Sequence, residues 1–115
     1  MKYVLEGHAV IPCASTLEWA QWFESHDRQV ARDTTPNGAD VSTVFLGIDH
    51  SFGRGGPPLV FETMVFGGNL GGMQERYATW DEAVAGHASA LADALRHDHI
   101  TVADDSSKED GNERR

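Results

Sequence analysis

The segment LVFETMVF, residues 59–66, is the most strongly β-forming run in this 115-residue chain. Its side chains alternate between two faces, and both faces are apolar apart from Glu62 and Thr63. A strand that is apolar on both faces lies in the centre of a sheet, or it has one face against a partner subunit. The segment therefore predicts a central strand, with a homo-oligomer as the alternative explanation for its second apolar face.

The segments on either side of this strand predict an α+β fold. Ser15 with Glu18, and Thr79 with Glu82, have the spacing of capping boxes that open helices. The predicted elements are a strand at 3–11, a helix from 16 to about 26, strands at 29–34, 41–49 and 59–66, and a helix from 79 to about 96. The order is βαβββα, which fits one mainly antiparallel sheet with two helices packed on one face.

Length and composition predict one domain, at residues 1–103, followed by a tail. Residues 104–115 contain no apolar side chain, so they are expected to form a disordered acidic and polar tail. The chain carries 18 acidic and 9 basic residues and a formal net charge of −9, which argues against direct binding to nucleic acid. No apolar run approaches the ~18 residues of a membrane span, and no secretory segment is recognised. A cytoplasmic protein with no membrane contact is the expectation.

Glu62 is the most informative single residue. Its carboxylate lies between Val60 and Met64 on the predicted central strand. Such a carboxylate must be paired, protonated or at an edge. Arg54, Arg76 and His50 are the expected partners. A structural ion pair and a ligand-binding or catalytic role both remain open.

Asp49 and His50 follow a predicted strand, and with Glu62 and His87 they offer two imidazoles and two carboxylates. If the four converge in space, they suit a divalent metal ion or general acid–base catalysis. Their spacing matches no known metal signature, and no resident cofactor is expected otherwise. In the structural alternative, Asp49 caps a turn and His87 is hydrogen-bonded where the helix meets the sheet.

Two glycine-rich loops, at 53–56 and 67–72, lack the lysine of a phosphate-binding P-loop and are expected to be tight turns. Arg54 and Arg76 flank these loops and could still hold a small anionic ligand. The candidate pocket therefore comprises Asp49, His50, Arg54, Glu62, Arg76 and His87.

Several long strings resemble a family of small proteins encoded by bacteriophages and prophages. They are VSTVFLGIDH at 41–50, GPPL at 56–59, FETMVFGG at 61–68, EWAQWFE at 18–24, ERYATW at 75–80 and EAVAGHA at 82–88. The similarity covers roughly residues 15–91. It implies a phage or prophage accessory gene in an infected or lysogenic host, rather than a particular chemistry.

Two classes of function follow from these observations. The first is a non-enzymatic accessory protein for host interaction or counter-defence, which binds a host or phage protein or a small anionic ligand. Its acidity would repel DNA or imitate it. The alternative is a small metal-dependent hydrolase that uses Asp49, His50, Glu62 and His87.

Overall fold

The computed structural model describes the backbone of residues 1–105 and the side chains of residues 1–97. Within that range the elements are β1 (Tyr3–Glu6), β2 (Ala9–Pro12), α1 (Thr16–Ser25), β3 (Gln29–Thr34), β4 (Asp40–Phe45), β5 (Phe61–Phe66), β6 (Gln74–Tyr77) and α2 (Trp80–Asp105). β3 to β6 form a four-stranded antiparallel sheet in sequential order, and β1 pairs with β2 in a hairpin. The predicted α+β class is confirmed. Of the predicted tail, residues 106–115 lie outside the described residues.

β5 lies inside the sheet, as predicted, because it pairs with β4 on one side and with β6 on the other. The register places Glu62 opposite Val44 of β4 and opposite Arg76 of β6. Because side chains alternate along a strand, Glu62 lies on one face of the sheet, and its neighbours Phe61 and Thr63 lie on the other. We call the face that carries Phe61 and Thr63 the inner face, and the face that carries Glu62 the outer face.

The inner face carries the hydrophobic core. Val41 and Val65 pack with Ala90 and Ala94 of α2 at one end of the sheet. At the other end of the sheet a second cluster contains Ala83 of α2, Trp22 of α1 and residues of the hairpin. Its buried members from the sheet are Phe45 and Phe61, together with Val60, which directly precedes β5. Burying each of these large side chains contributes about 1.5–3 kcal/mol. Both helices therefore contact the inner face.

The outer face has no helix over it among the described elements. Val44 and Met64 of the two inner strands are half-buried there, and Phe66 is exposed. Neither helix in the described part of the chain combines the length and hydropathy needed to cross a bilayer. Because no described helix covers the outer face, it is the part of the sheet where a ligand can approach.

Two predictions about the strands were wrong. The predicted strand at 3–11 is a hairpin, because Gly7 (φ +60°) starts a two-residue turn that brings Glu6 opposite Ala9. Such a short turn leaves the apolar alternation almost uninterrupted, so the sequence pattern did not reveal it. β6 was not predicted, because three of its four residues are polar; it is an edge strand with one solvated face.

The predicted helix starts are confirmed. Ser15 Oγ accepts a hydrogen bond from the Glu18 amide at 3.2 Å, and Thr79 Oγ1 accepts one from the Glu82 amide at 3.1 Å. α1 ends at Ser25, one residue before the predicted end, whereas α2 continues to Asp105, well beyond the predicted end near residue 96. The predicted strand at 41–49 ends earlier, at Phe45, because the chain turns away at Gly47 (φ +76°).

Candidate functional site

Asp49 organises the loop that joins β4 to β5. Its Oδ1 accepts hydrogen bonds from the amides of Ser51 (2.8 Å) and Leu59 (2.9 Å), and its Oδ2 accepts one from Ser51 Oγ (2.9 Å). These amide donors hold the pKa of the Asp49 carboxyl below its usual range. Asp49 thus ties the two ends of the loop together, which is the turn-capping role that the sequence left open.

A depression of about 260 Å³ lies where this loop meets the outer side of β6; it is lined by His50, Arg54, Leu59, Gln74, Glu75 and Arg76. We call it the His50 depression. The Nδ1 atom of His50 lies 2.8 Å from the carbonyl oxygen of Ile48. Because a carbonyl only accepts, Nδ1 carries the proton, which leaves Nε2 for another partner. Arg54 is exposed and has no ion pair among the described residues.

Glu62 holds Arg76 in place beside this depression. The Glu62 residue is only 9% exposed, and its Oε2 accepts hydrogen bonds from Arg76 Nε (3.0 Å) and Gln74 Nε2 (2.5 Å). The expectation that Glu62 must be paired is confirmed, and Arg76 is the partner. The pair fixes the direction of the guanidinium, because the carboxylate itself is anchored in the sheet.

Phe52 lies at the edge of the same site. Its ring is 74% exposed, packs edge-on against His50 at 5.5 Å between centroids, and lies 5.9 Å from the Arg76 guanidinium. Phe52 also has φ +52°, a left-handed conformation that a bulky residue rarely adopts. An exposed aromatic ring on a strained backbone is a feature that packing alone does not require.

His87 lies on the other side of the sheet. Its Nδ1 is 2.7 Å from Thr43 Oγ1, its Nε2 is 2.8 Å from Asp33 Oδ2, and Thr43 Oγ1 is 2.5 Å from Thr63 Oγ1. Thr43 and Thr63 are inner-face residues, whereas Glu62 is on the outer face. The predicted convergence of Asp49, His50, Glu62 and His87 is therefore wrong, because the thickness of the sheet separates His87 from Glu62.

The Asp33–His87–Thr43 chain has the carboxylate–imidazole–hydroxyl order of a catalytic triad, but it is not accessible. Thr43 has no exposed surface and His87 is 5% exposed. A nucleophile must reach its substrate, so this chain cannot attack one from its present position. It instead satisfies polar groups where α2 packs on the sheet, as the structural alternative for His87 predicted.

The described residues do not assemble the metal-ligand set that the sequence suggested. Among them, no three His, Cys, Asp or Glu side chains are close enough together to share an ion. Glu62 is committed to Arg76, and Asp49 is committed to the loop amides. Glu62 Oε2 and both Asp49 carboxylate oxygens are therefore already engaged in hydrogen bonds.

Of the six candidate residues, the structure brings His50, Arg54 and Arg76 to one depression, with Glu62 and Asp49 as supports, and leaves out only His87. Phe52 and Gln74 were not predicted as site residues. Phe52 is the single aromatic residue in a glycine- and proline-rich loop, and that contrast was an available signal. Gln74 lies on the strand that was not predicted.

We compared this chain with protein-family models, with curated proteins and with solved structures, and none of the three comparisons returned a match.

Proposed function

We propose that this protein is a non-enzymatic binding protein that holds a small oxyanion, a carboxylate or a phosphate, in the His50 depression. The observation that carries the proposal is the meeting of two guanidinium groups and one imidazole at a single depression. The chain as a whole has a formal net charge of −9, and the carboxylates of Glu62 and Glu75 lie beside the two arginines. The directed N–H donors of the arginines, rather than a net positive charge, are therefore what an oxyanion would engage.

The two arginines have complementary roles. Arg76 is pre-oriented by its Nε bond to Glu62, so Nη1 and Nη2 are the donors that a ligand would engage. Arg54 lies on the loop that Asp49 closes, and its guanidinium forms no ion pair with a described carboxylate. Because the Arg76 guanidinium is already fixed on the sheet, little entropy is lost there on binding. Arg54 is carried by the loop and can adjust to the ligand.

The exposed Phe52 ring supports a ligand that is more than a bare ion. It offers an apolar surface beside His50 and Arg76, and the left-handed backbone that places it there costs about 1–3 kcal/mol. A ligand with an acidic group for the arginines and an apolar or planar group for Phe52 uses both features.

The resemblance to small phage and prophage proteins supports the biological setting of this proposal. In that setting the protein acts in the cytoplasm of the bacterial host as an accessory factor for host interaction or counter-defence. The oxyanion is then carried by a small metabolite or by an acidic group on a host or phage protein. The strongly acidic chain disfavours direct contact with nucleic acid.

Calorimetric titration with inorganic phosphate, methyl phosphate and acetate at constant ionic strength tests the proposal. Arg54→Gln and Arg76→Gln are expected to lower the affinity about tenfold or more, since a charge-assisted hydrogen bond contributes about 1.5–3 kcal/mol. The matched control is Arg96→Gln, which removes an exposed arginine of α2 that is paired with Asp93. The proposal fails if no anion binds the unaltered protein, or if all three variants bind as it does.

A further inference from the structure

A second depression opens on the outer face, at the opposite edge of the sheet. Its volume is about 330 Å³, and it is lined by His26, Asp27, Arg28, Gln29, Ser42 and Val44. We call it the Arg28 depression. Val44 faces outward because it pairs with Glu62, and Gln29 pairs with Val44. The two depressions therefore share one face.

Arg28 is held rigidly in this depression without a counter-charge. Its guanidinium carbon lies 3.7 Å from the centroid of the Phe23 ring, and its Nε is buried without a hydrogen-bond partner. A buried donor without a hydrogen-bond partner costs free energy. Stacking on the Phe23 ring also restricts the orientation of the guanidinium, so Nε cannot easily turn toward water. Arg28 Nε therefore has no acceptor among the described residues.

The neighbouring acid does not fill that need. Asp27 Oδ1 accepts the hydrogen bond of the Gln29 amide at 3.0 Å, and Asp27 forms no ion pair with Arg28. The Gln29 side chain donates to Ser42 Oγ at 3.1 Å, which leaves the Ser42 hydroxyl proton free to point elsewhere. The depression thus presents a guanidinium and a hydroxyl as donors.

The arginines of the described side chains divide into two groups. Arg32, Arg76 and Arg96 each form an ion pair with a carboxylate, whereas Arg28 and Arg54 form none. Acidic residues outnumber basic ones by 18 to 9 in this chain, so carboxylates are not scarce. Each unpaired arginine lines one of the two depressions.

We propose that the Arg28 depression is a second oxyanion site, which takes a carboxylate or a phosphate on the Arg28 guanidinium. A bound oxyanion supplies the missing counter-charge through the terminal Nη groups, which are not among the buried atoms, with the guanidinium already oriented by Phe23. The register row Gln29, Val44, Glu62 and Arg76 separates the two sites by three inter-strand spacings, about 14 Å. A single phosphate or acetate cannot span that distance, so the two sites bind such ions separately.

Titration with inorganic phosphate, followed by the NMR signal of the Arg28 Nε–H group, tests this site. We expect a saturable shift of that signal, with an equal ionic strength of sodium chloride producing none. Arg28→Lys keeps the charge but loses the planar fork, and it is expected to weaken phosphate binding at Ser42 and Gln29 about tenfold. Acetate in place of phosphate shows which oxyanion the site prefers.

The matched control is Arg32→Lys, which alters an outer-face arginine of β3 that is already paired with Asp40, and it should leave binding unchanged. Arg54→Gln should also leave the Arg28 signal unchanged, so failure at one depression is distinguished from failure at the other. The proposal is overturned if the Arg28 signal of the unaltered protein does not shift saturably, or if Arg28→Lys and Arg32→Lys have the same effect. Because the first readout uses the unaltered protein, it does not depend on how the variants fold.

Discussion

Glu62 and His87 lie on opposite faces of the same antiparallel sheet, one held by Arg76 and the other by Thr43 and Asp33. The two faces therefore carry two separate sets of hydrogen-bonded polar groups, which differ in their access to solvent. The outer-face groups surround a depression that is open to solvent, whereas His87 and Thr43 are buried beneath α2. Inner-face variants should therefore change stability without changing anion affinity, whereas outer-face variants at the depression can change both.

Glu62→Ala is expected to lower the free energy of unfolding by about 1–3 kcal/mol, because it leaves Gln74 and Arg76 without their buried acceptor. Chemical denaturation monitored by circular dichroism measures the change. Glu75→Ala is the control, since Glu75 is an exposed residue of β6 without an ion pair among the described residues, and it should change stability by less than about 0.5 kcal/mol. Equal effects of the two variants would show that the Glu62–Arg76 pair does not stabilise the fold.

Thr43→Val is expected to cost about 1–3 kcal/mol, because it keeps the volume of the side chain and removes the hydroxyl that contacts both His87 and Thr63. The affinity for phosphate should not change, since Thr43 is on the inner face. Thr34→Val, at an exposed position of β3, is the control for strand propensity. A Thr43→Val protein as stable as the unaltered one would mean that the buried polar chain contributes nothing.

Gly86→Ala should destabilise the protein although alanine is the better helix former by about 1 kcal/mol. A Cβ atom at residue 86 would overlap the ring of Tyr77, which belongs to β6. We expect the midpoint of thermal unfolding to fall, and the double variant Gly86→Ala with Tyr77→Ala to recover part of the loss relative to Tyr77→Ala alone. If Gly86→Ala raised the midpoint, the close packing of α2 on β6 would be disproved.

Asp49 should make the loop between β4 and β5 sensitive to acid. Its pKa in the folded protein is lowered from 3.8 by the Ser51 and Leu59 amides, so the ionised carboxylate favours the fold. This contribution is fully present above the unfolded pKa, near 4, and is lost as the pH falls through the lower folded pKa. Unfolding experiments from neutral pH to about pH 2 should show Asp49→Asn less stable than the unaltered protein at neutral pH, with the gap closing in acid.

Glu24→Gln provides the comparison for Asp49→Asn, because Glu24 is an exposed acid of α1. Its stability should run parallel to that of the unaltered protein over the same pH range. A constant gap between Asp49→Asn and the unaltered protein at every pH would contradict the role assigned to the Asp49 charge.

The parts of the fold that could be predicted are those with strong local signals. β5 is rich in β-branched and aromatic residues, and the helix starts at Ser15 and Thr79 have caps that act over three residues. β6 could not be predicted in this way, because Gln74, Glu75 and Arg76 become a strand only by pairing with β5. The turn at Gly7 was hidden because it is only two residues long.

The candidate site was predictable to the extent that it depended on Glu62. A carboxylate in an apolar strand requires a partner, and Arg76 is that partner. The position of His87 was not predictable from its helical periodicity, because the pattern shows that it points toward the sheet but not which face of the sheet it meets. Arg28 carried no sequence signal, since its lack of a counter-charge is a property of the tertiary structure.

The most direct test of the central claim is to map the backbone amide shifts of the unaltered protein during titration with inorganic phosphate. We expect saturable changes at residues 50–56, 59 and 74–76, which surround the His50 depression, and none along residues 84–96 of α2. Phosphate that causes no saturable shift at the residues around the depression, or that shifts α2 equally, would contradict the claim that this depression binds an oxyanion.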